Sequence, residues 1–128
     1  LDRTEFMPFA PYVMEDMVGD VFEVTKSNKN AMKFMTITTY VKDEWKEKIQ
    51  ATVHIDGTAR PQTINRKQNE LYYDILKLFF EKTGVPCLVN TSFNAHEEPI
   101  INTPEEAFFA LLNDRVDCLI FENMIVTK

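Results

Sequence analysis

The second half of the chain alternates between helical and extended hydrophobic patterns, and that alternation restricts the fold more than any other feature. Leu71, Ile75, Leu78 and Phe79 recur at helical spacing, with Tyr72, Leu76 and Phe80 widening the apolar face. Thr83-Gly84 closes this helix, because glycine takes the left-handed conformation that helix ends favour. Val85 to Val89 follows as a short continuous apolar run, the pattern of a strand buried on both faces. Thr103, Pro104 and Glu106 then spell a capping box with proline in the first turn. Ala107, Phe108, Leu111 and Leu112 form the predicted buried stripe of that second helix, and Cys118 to Glu122 and Met124 to Thr127 read as strands. The order strand, helix, strand, loop, helix, strand predicts the α/β class, bordering on α+β. The expected architecture is a layered, open, twisted mixed sheet with helices, forming a single domain over residues 1–128.

The first half is less regular. Val13, Met14, Met17, Val18, Val21 and Phe22 follow helical spacing, so a helix is expected over residues 13–22, although Gly19 opposes it. Ser27 to Asn30 is a polar turn, and Lys33 to Lys42 has strand composition. Asp43 to Lys48 suits a short helix, and Ala51 to Ile55 a strand broken by Gly57. Thr58 to Ile64 continues extended, because Arg60 precedes proline and is kept out of the helical region. Asn65 and Gln68 form a candidate capping pair for the following helix.

The charge balance bears on partners. A net charge of −6 argues against broad binding to nucleic acid or to an anionic membrane, and leaves small ligands as the expected partners. No apolar run approaches the roughly 20 residues of a spanning helix, and Leu1 to Thr4 lacks the features of a signal peptide. Without an initiator methionine, the chain reads as a piece of a longer protein, expected in the cytoplasm. Cys87 and Cys118 both lie in apolar strand-like runs and are expected to be buried thiols. With two cysteines and two histidines in unrelated spacings, no zinc site is expected.

Three clusters carry polar chemistry. The apolar run at Val85 leads directly into Asn90-Thr91-Ser92-Phe93-Asn94, and strand ends in α/β sheets open into crevices where ligands sit. These amides and hydroxyls suit phosphate oxygens, a ribose or an amide; they suit equally a loop that satisfies its own backbone. The second cluster is His54 to Gln62. Alternation places Arg60 and Gln62 on one face, and a guanidinium can grip phosphate through two parallel bonds. His54 and Asp56 share a face as either a base with its orienter or a structural pair. The third is Arg3 to Pro11, whose Phe6 and Phe9 are expected to pack on the core. His96 follows the polar loop beside Glu97-Glu98. No glycine-rich phosphate loop is present. Residue chemistry alone leads to an α/β domain with a candidate anion or nucleotide pocket.

In their order, these clusters resemble the C-terminal domain of the O-carbamoyltransferase family, which includes nodulation, cephalosporin and tobramycin carbamoyltransferases. The resemblance rests on Arg3 with Phe6 to Pro11, Asp56 to Gln62, Tyr72-Tyr73, Phe79, Thr83 to Pro86, Asn90 to Asn94, Glu98 to Ile100 and Thr103 to Ala107. It runs the length of the chain and is weakest over residues 20–50. It implies a YrdC-like α/β fold in a two-domain enzyme whose N-terminal, actin-like domain holds a metal and transfers the carbamoyl group. It further implies that this domain combines carbamoyl phosphate and ATP, with magnesium, into carbamoyl adenylate. By resemblance, Arg3 and Arg60 bind phosphate, and Asn90, Ser92 and Asn94 hold the carbamoyl or nucleotide end. Thr91, Gln62 and His54 are secondary candidates. Arg60, Ser92 and Asn90 are the expected catalytic groups, and no metal ligand is expected within this chain. Glu97 departs from the pattern, which has glycine there. Two other readings stand: a non-catalytic nucleotide- or partner-binding module, and a relative making threonylcarbamoyl adenylate for tRNA modification. As a fragment, the chain is expected to be incomplete or inactive alone.

Overall fold

The computed structural model describes residues 9–95, 97–121 and 123–128. These fall into two compact units, one of residues 9–91 and one of residues 92–128. The class is mixed α/β, as expected, with the strands distributed over three small sheets.

In the first unit, β1 (Ala10–Met14) leads to a single helical turn, α1 (Val18–Val21). The helix expected over residues 13–22 is thus a strand and one turn. Its helical spacing is a by-product of burial, because β1 is the central strand of the main sheet. Val13 belongs to the core on one sheet face and Met14 to the core on the other, so the apolar residues do not alternate. Ala31–Phe34 is a 3₁₀ turn ended by Met35 in the left-handed region, with φ 56°. Within the run expected to be strand over 33–42, the strand is limited to β2 (Thr39–Tyr40), followed by an isolated bridge of Val41 to Phe22. The short helix α2 (Asp43–Lys46) is present. Ala51 to Ile55 is not a strand. A 3₁₀ turn at Gln50–Thr52 is held by the Thr52 hydroxyl donating to the Ile49 carbonyl (2.9 Å), and the chain reverses at Gly57, φ 79°. The strands β3 (Thr58–Ala59) and β4 (Gln62–Ile64) follow.

Asn65 and Gln68 cap each other as expected, but they close a turn; the helix cap itself is Asn69, which accepts from the Tyr72 amide. The helix α3 (Glu70–Thr83) ends at Gly84 with φ 72°. Its buried side is Leu76, flanked by Tyr72 and Phe80, whereas Leu71 and Leu78 are exposed. The last strand of the unit is β5 (Cys87–Asn90).

The main sheet has the order β4-β1-β5, with β1 parallel to β4 and antiparallel to β5. On one face Met14, Ile64, Tyr12 and Leu88 meet α3, where Tyr12 and Tyr72 form an edge-to-face pair at 4.6 Å. On the other, Val13 and Cys87 join Val21, Phe22, Met32, Val41 and Ala59. Because β5 is an edge, Val89 is exposed, contrary to the expectation of a strand buried on both faces.

The second unit packs α4 (Pro104–Leu112) on the antiparallel hairpin of β6 (Cys118–Phe121) and β7 (Met124–Thr127). The Thr103–Glu106 capping box forms in full. Ala107, Ala110 and Leu111 are buried, while Phe108 and Leu112 of the expected stripe are exposed. Cys118 is exposed, because it occupies the hairpin face opposite Leu119. Among the described residues, no helix is long and apolar enough to cross a membrane.

Candidate functional site

The parallel strands β1 and β4 begin at the same end of the main sheet, and antiparallel β5 finishes there. That end therefore gathers Ala10, Gln62 and Asn90 from three distant stretches of sequence. The Asn90 Nδ2 donates to Gln62 Oε1 at 2.7 Å, spanning the central strand where Ala10 offers only a methyl group. This leaves Gln62 Nε2 and Asn90 Oδ1 without a hydrogen bond among the described residues. Arg60 is exposed two residues before Gln62, and its guanidinium has no acidic partner among the described residues. Just past Asn90, the Thr91 hydroxyl is buried and has no hydrogen-bond partner among the described residues. An orphaned buried hydroxyl costs about 1–3 kcal/mol, so such groups are normally satisfied by protein, water or ligand. Pro11 and Pro61 carry no amide hydrogen, and pairing of β1 with β4 starts only at Tyr12 and Gln62.

Ser92 and Asn94 belong to the second unit and have a different environment. The Ser92 hydroxyl donates to Asn94 Oδ1, and Asn94 Nδ2 donates to the Glu98 carbonyl at 2.8 Å. Phe93 between them packs against the core of Ala107, Leu111 and Leu119, and its carbonyl accepts from the Ile101 amide at 2.9 Å. The loop thus satisfies its own polar groups while two side chains remain oriented. Glu98 is gripped at both carboxylate oxygens by Arg115, with Nη2 to Oε1 at 3.1 Å. The guanidinium holds the Glu98 carboxyl below the usual carboxylate range. Glu97 takes the left-handed backbone, φ 65°, which accounts for glycine at this place in the pattern.

His54 and Asp56 do not touch directly; Thr58 stands between them. The Thr58 hydroxyl donates to Asp56 at 2.7 Å, so it must accept from His54 Nδ1 at 3.0 Å. With the Thr58 amide also donating at 2.9 Å, these bonds hold the Asp56 carboxyl below its ordinary range. These bonds bracket the turn at Gly57. Cys87 is pushed up to about 12 by burial, which keeps it a thiol. Arg3, Phe6 and His96 lie outside the described residues. An apolar cleft of about 660 Å³ beside β5, walled by Ile49, Tyr72, Phe79 and Val89, contains none of the predicted site residues.

The whole chain, residues 1–128, matches the family model described as carbamoyltransferase C-terminus. The chain belongs to this family. It is 40% identical over 126 residues to the uncharacterised protein MJ1058 of Methanocaldococcus jannaschii, covering 98% of this chain and 20% of that protein. It is 35% identical to nodulation protein NolNO of Sinorhizobium fredii, covering 98% and 18%. Nodulation protein NolO of Bradyrhizobium diazoefficiens is 34% identical, covering 98% and 23%. The chain thus spans about a fifth of the length of these relatives. Among the polar residues at this sheet end, Arg60 is a cation, and the Gln62–Asn90 pair leaves one amide donor and one amide acceptor unused among the described residues. No local pattern marks Arg115, because it meets Glu98 across 17 residues of sequence.

Proposed function

We propose that this carbamoyltransferase domain forms or holds carbamoyl adenylate, made from carbamoyl phosphate and ATP for transfer to a hydroxyl by the rest of a longer enzyme. The observation that carries the reading is the Gln62–Asn90 amide pair, with Arg60 two residues before Gln62 and without an acidic partner among the described residues. A carbamoyl group presents one carbonyl acceptor and an NH₂ donor. Gln62 Nε2 is suited to donate to that carbonyl, and Asn90 Oδ1 to accept from that NH₂. Arg60 is suited to the phosphate oxygens, where a two-bond fork orients as well as neutralises. Thr91 adds a hydroxyl awaiting a partner. Ser92 and Asn94, with Arg3, are proposed as ligand-binding residues on the family pattern alone.

The chemistry balances as two steps. Water cleaves carbamoyl phosphate to carbamate and phosphate. A carbamate oxygen then attacks the α-phosphorus of ATP, forming the adenylate and expelling pyrophosphate. Magnesium, arriving with ATP, would neutralise the departing phosphates, while the chain's own groups bind and orient. The use of ATP and carbamoyl phosphate makes the cytoplasm the proposed compartment.

The test uses the full-length protein with ATP, carbamoyl phosphate and magnesium. Phosphate and pyrophosphate should appear in equal amounts. Arg60→Ala should lower kcat/KM by about 100-fold, the loss of roughly 2.7 kcal/mol of transition-state stabilisation. ATP binding with no pyrophosphate release would instead support the nucleotide-binding module, and a variant as active as wild type would remove Arg60 from the site.

A further inference from the structure

We infer that Arg115 is a positioning residue for the Ser92–Asn94 segment, acting through Glu98. The inference rests on the reading that Ser92 and Asn94 bind ligand. Arg115 is itself anchored by the end of α4: its amide donates to the Ala110 carbonyl at 2.9 Å, and the Asp114 amide to the Leu111 carbonyl at 3.2 Å. From that base the guanidinium forks onto both oxygens of Glu98. A fork fixes orientation as well as distance, which a single ammonium contact would not. The Glu98 amide donates to the Ala95 carbonyl at 3.1 Å, and Pro99 restricts the Glu98 backbone to extended conformations. With Glu98 placed, its carbonyl receives Asn94 Nδ2 at 2.8 Å, and Asn94 Oδ1 receives the Ser92 hydroxyl. Order passes from the helix to Arg115, Glu98, Asn94 and Ser92.

Magnitudes separate this role from a stabilising one. The paired side chains are 42% and 51% exposed, and exposed ion pairs contribute only about 0–1 kcal/mol to folding. A binding loop released from its place must instead be re-ordered when ligand binds, a cost that appears in affinity and not in fold stability. Losing the pair should therefore leave the fold nearly intact while releasing the loop.

Full-length protein carrying Arg115→Ala, Arg115→Lys or Glu98→Gln provides the test. In Arg115→Ala, amide hydrogen exchange over residues 92–101 should quicken about tenfold while exchange in α3 is unchanged. The KM for carbamoyl phosphate should rise about tenfold with kcat held within about threefold. Arg115→Lys keeps the charge without the fork and should fall between wild type and Arg115→Ala. Unchanged loop exchange in Arg115→Ala overturns the inference, as does an unchanged KM in an active enzyme. If wild-type protein releases no pyrophosphate, the proposed reaction fails, and the exchange comparison alone decides the role of Arg115.

Discussion

At the scale of single residues, Glu97 shows most directly how a departure from a family pattern can be read physically. Its φ of 65° places a side-chain-bearing residue where the Cβ crowds the backbone, at a cost of about 1–2 kcal/mol. Glycine removes that crowding but has more freedom to lose on folding, which returns part of the gain. Glu97→Gly should therefore be more stable than Glu97→Ala by about 0.5–1 kcal/mol, seen as a later urea midpoint with unchanged slope. Glu97→Ala is the control. It removes the carboxylate and keeps the Cβ, so any change shared by both variants comes from the interactions of the side chain and only the difference comes from backbone. Equal midpoints for the two variants would show that the left-handed turn costs nothing here.

At the scale of elements, sequence patterns were most informative where structure is decided locally. Gly84 ends α3 and the Thr103–Glu106 box starts α4, because a cap involves only a few neighbouring residues. Faces were harder to read, since burial depends on what a segment packs against. In α3 the stripe of Leu71, Ile75, Leu78 and Phe79 has the better helical spacing, yet the sheet receives Tyr72, Leu76 and Phe80. The same cause hides β1, whose burial on two faces imitates a helix. Two leucines on one helix turn this into a measurement. Leu76 is fully buried and Leu78 is 55% exposed, so Leu76→Ala should cost about 2–5 kcal/mol by the lost packing and the cavity left behind. Leu78→Ala should stay within about 0.5 kcal/mol. Chemical denaturation of the pair reads the orientation of α3 directly, and equal losses would mean that the helix is rotated from the face described.

For the molecule as a whole, the limit of the sequence was long-range pairing. The polar runs were legible as candidates, and the family pattern chose among their readings. Nothing local shows that Asn90 meets Gln62 across 28 residues, or that β1 and β4 begin at the same end as β5 finishes. Acid stability also belongs to this scale, because carboxylates hold polar structure in both units. Asp56 is kept ionised by the Thr58 hydroxyl and amide, Glu98 by Arg115, and Glu106 by the Asn102 and Thr103 amides at the start of α4. All three have folded values depressed below their ordinary ones, so the unfolded chain binds protons first as the pH falls. Their contribution is complete above the ordinary carboxylate range, about pH 4, and is lost as the pH falls through the depressed values. Stability should be flat from neutrality to about pH 5 and decline below about pH 4. Glu106→Gln separates titration from geometry, since its amide oxygen still accepts from the cap while carrying no charge. That variant should lose little at pH 7 and show a shallower acid decline, by up to about one proton's worth of slope. Urea midpoints measured from pH 7 to pH 3 would read this, and an acid decline as steep as that of the wild type would exclude Glu106 from the carboxylates that set it.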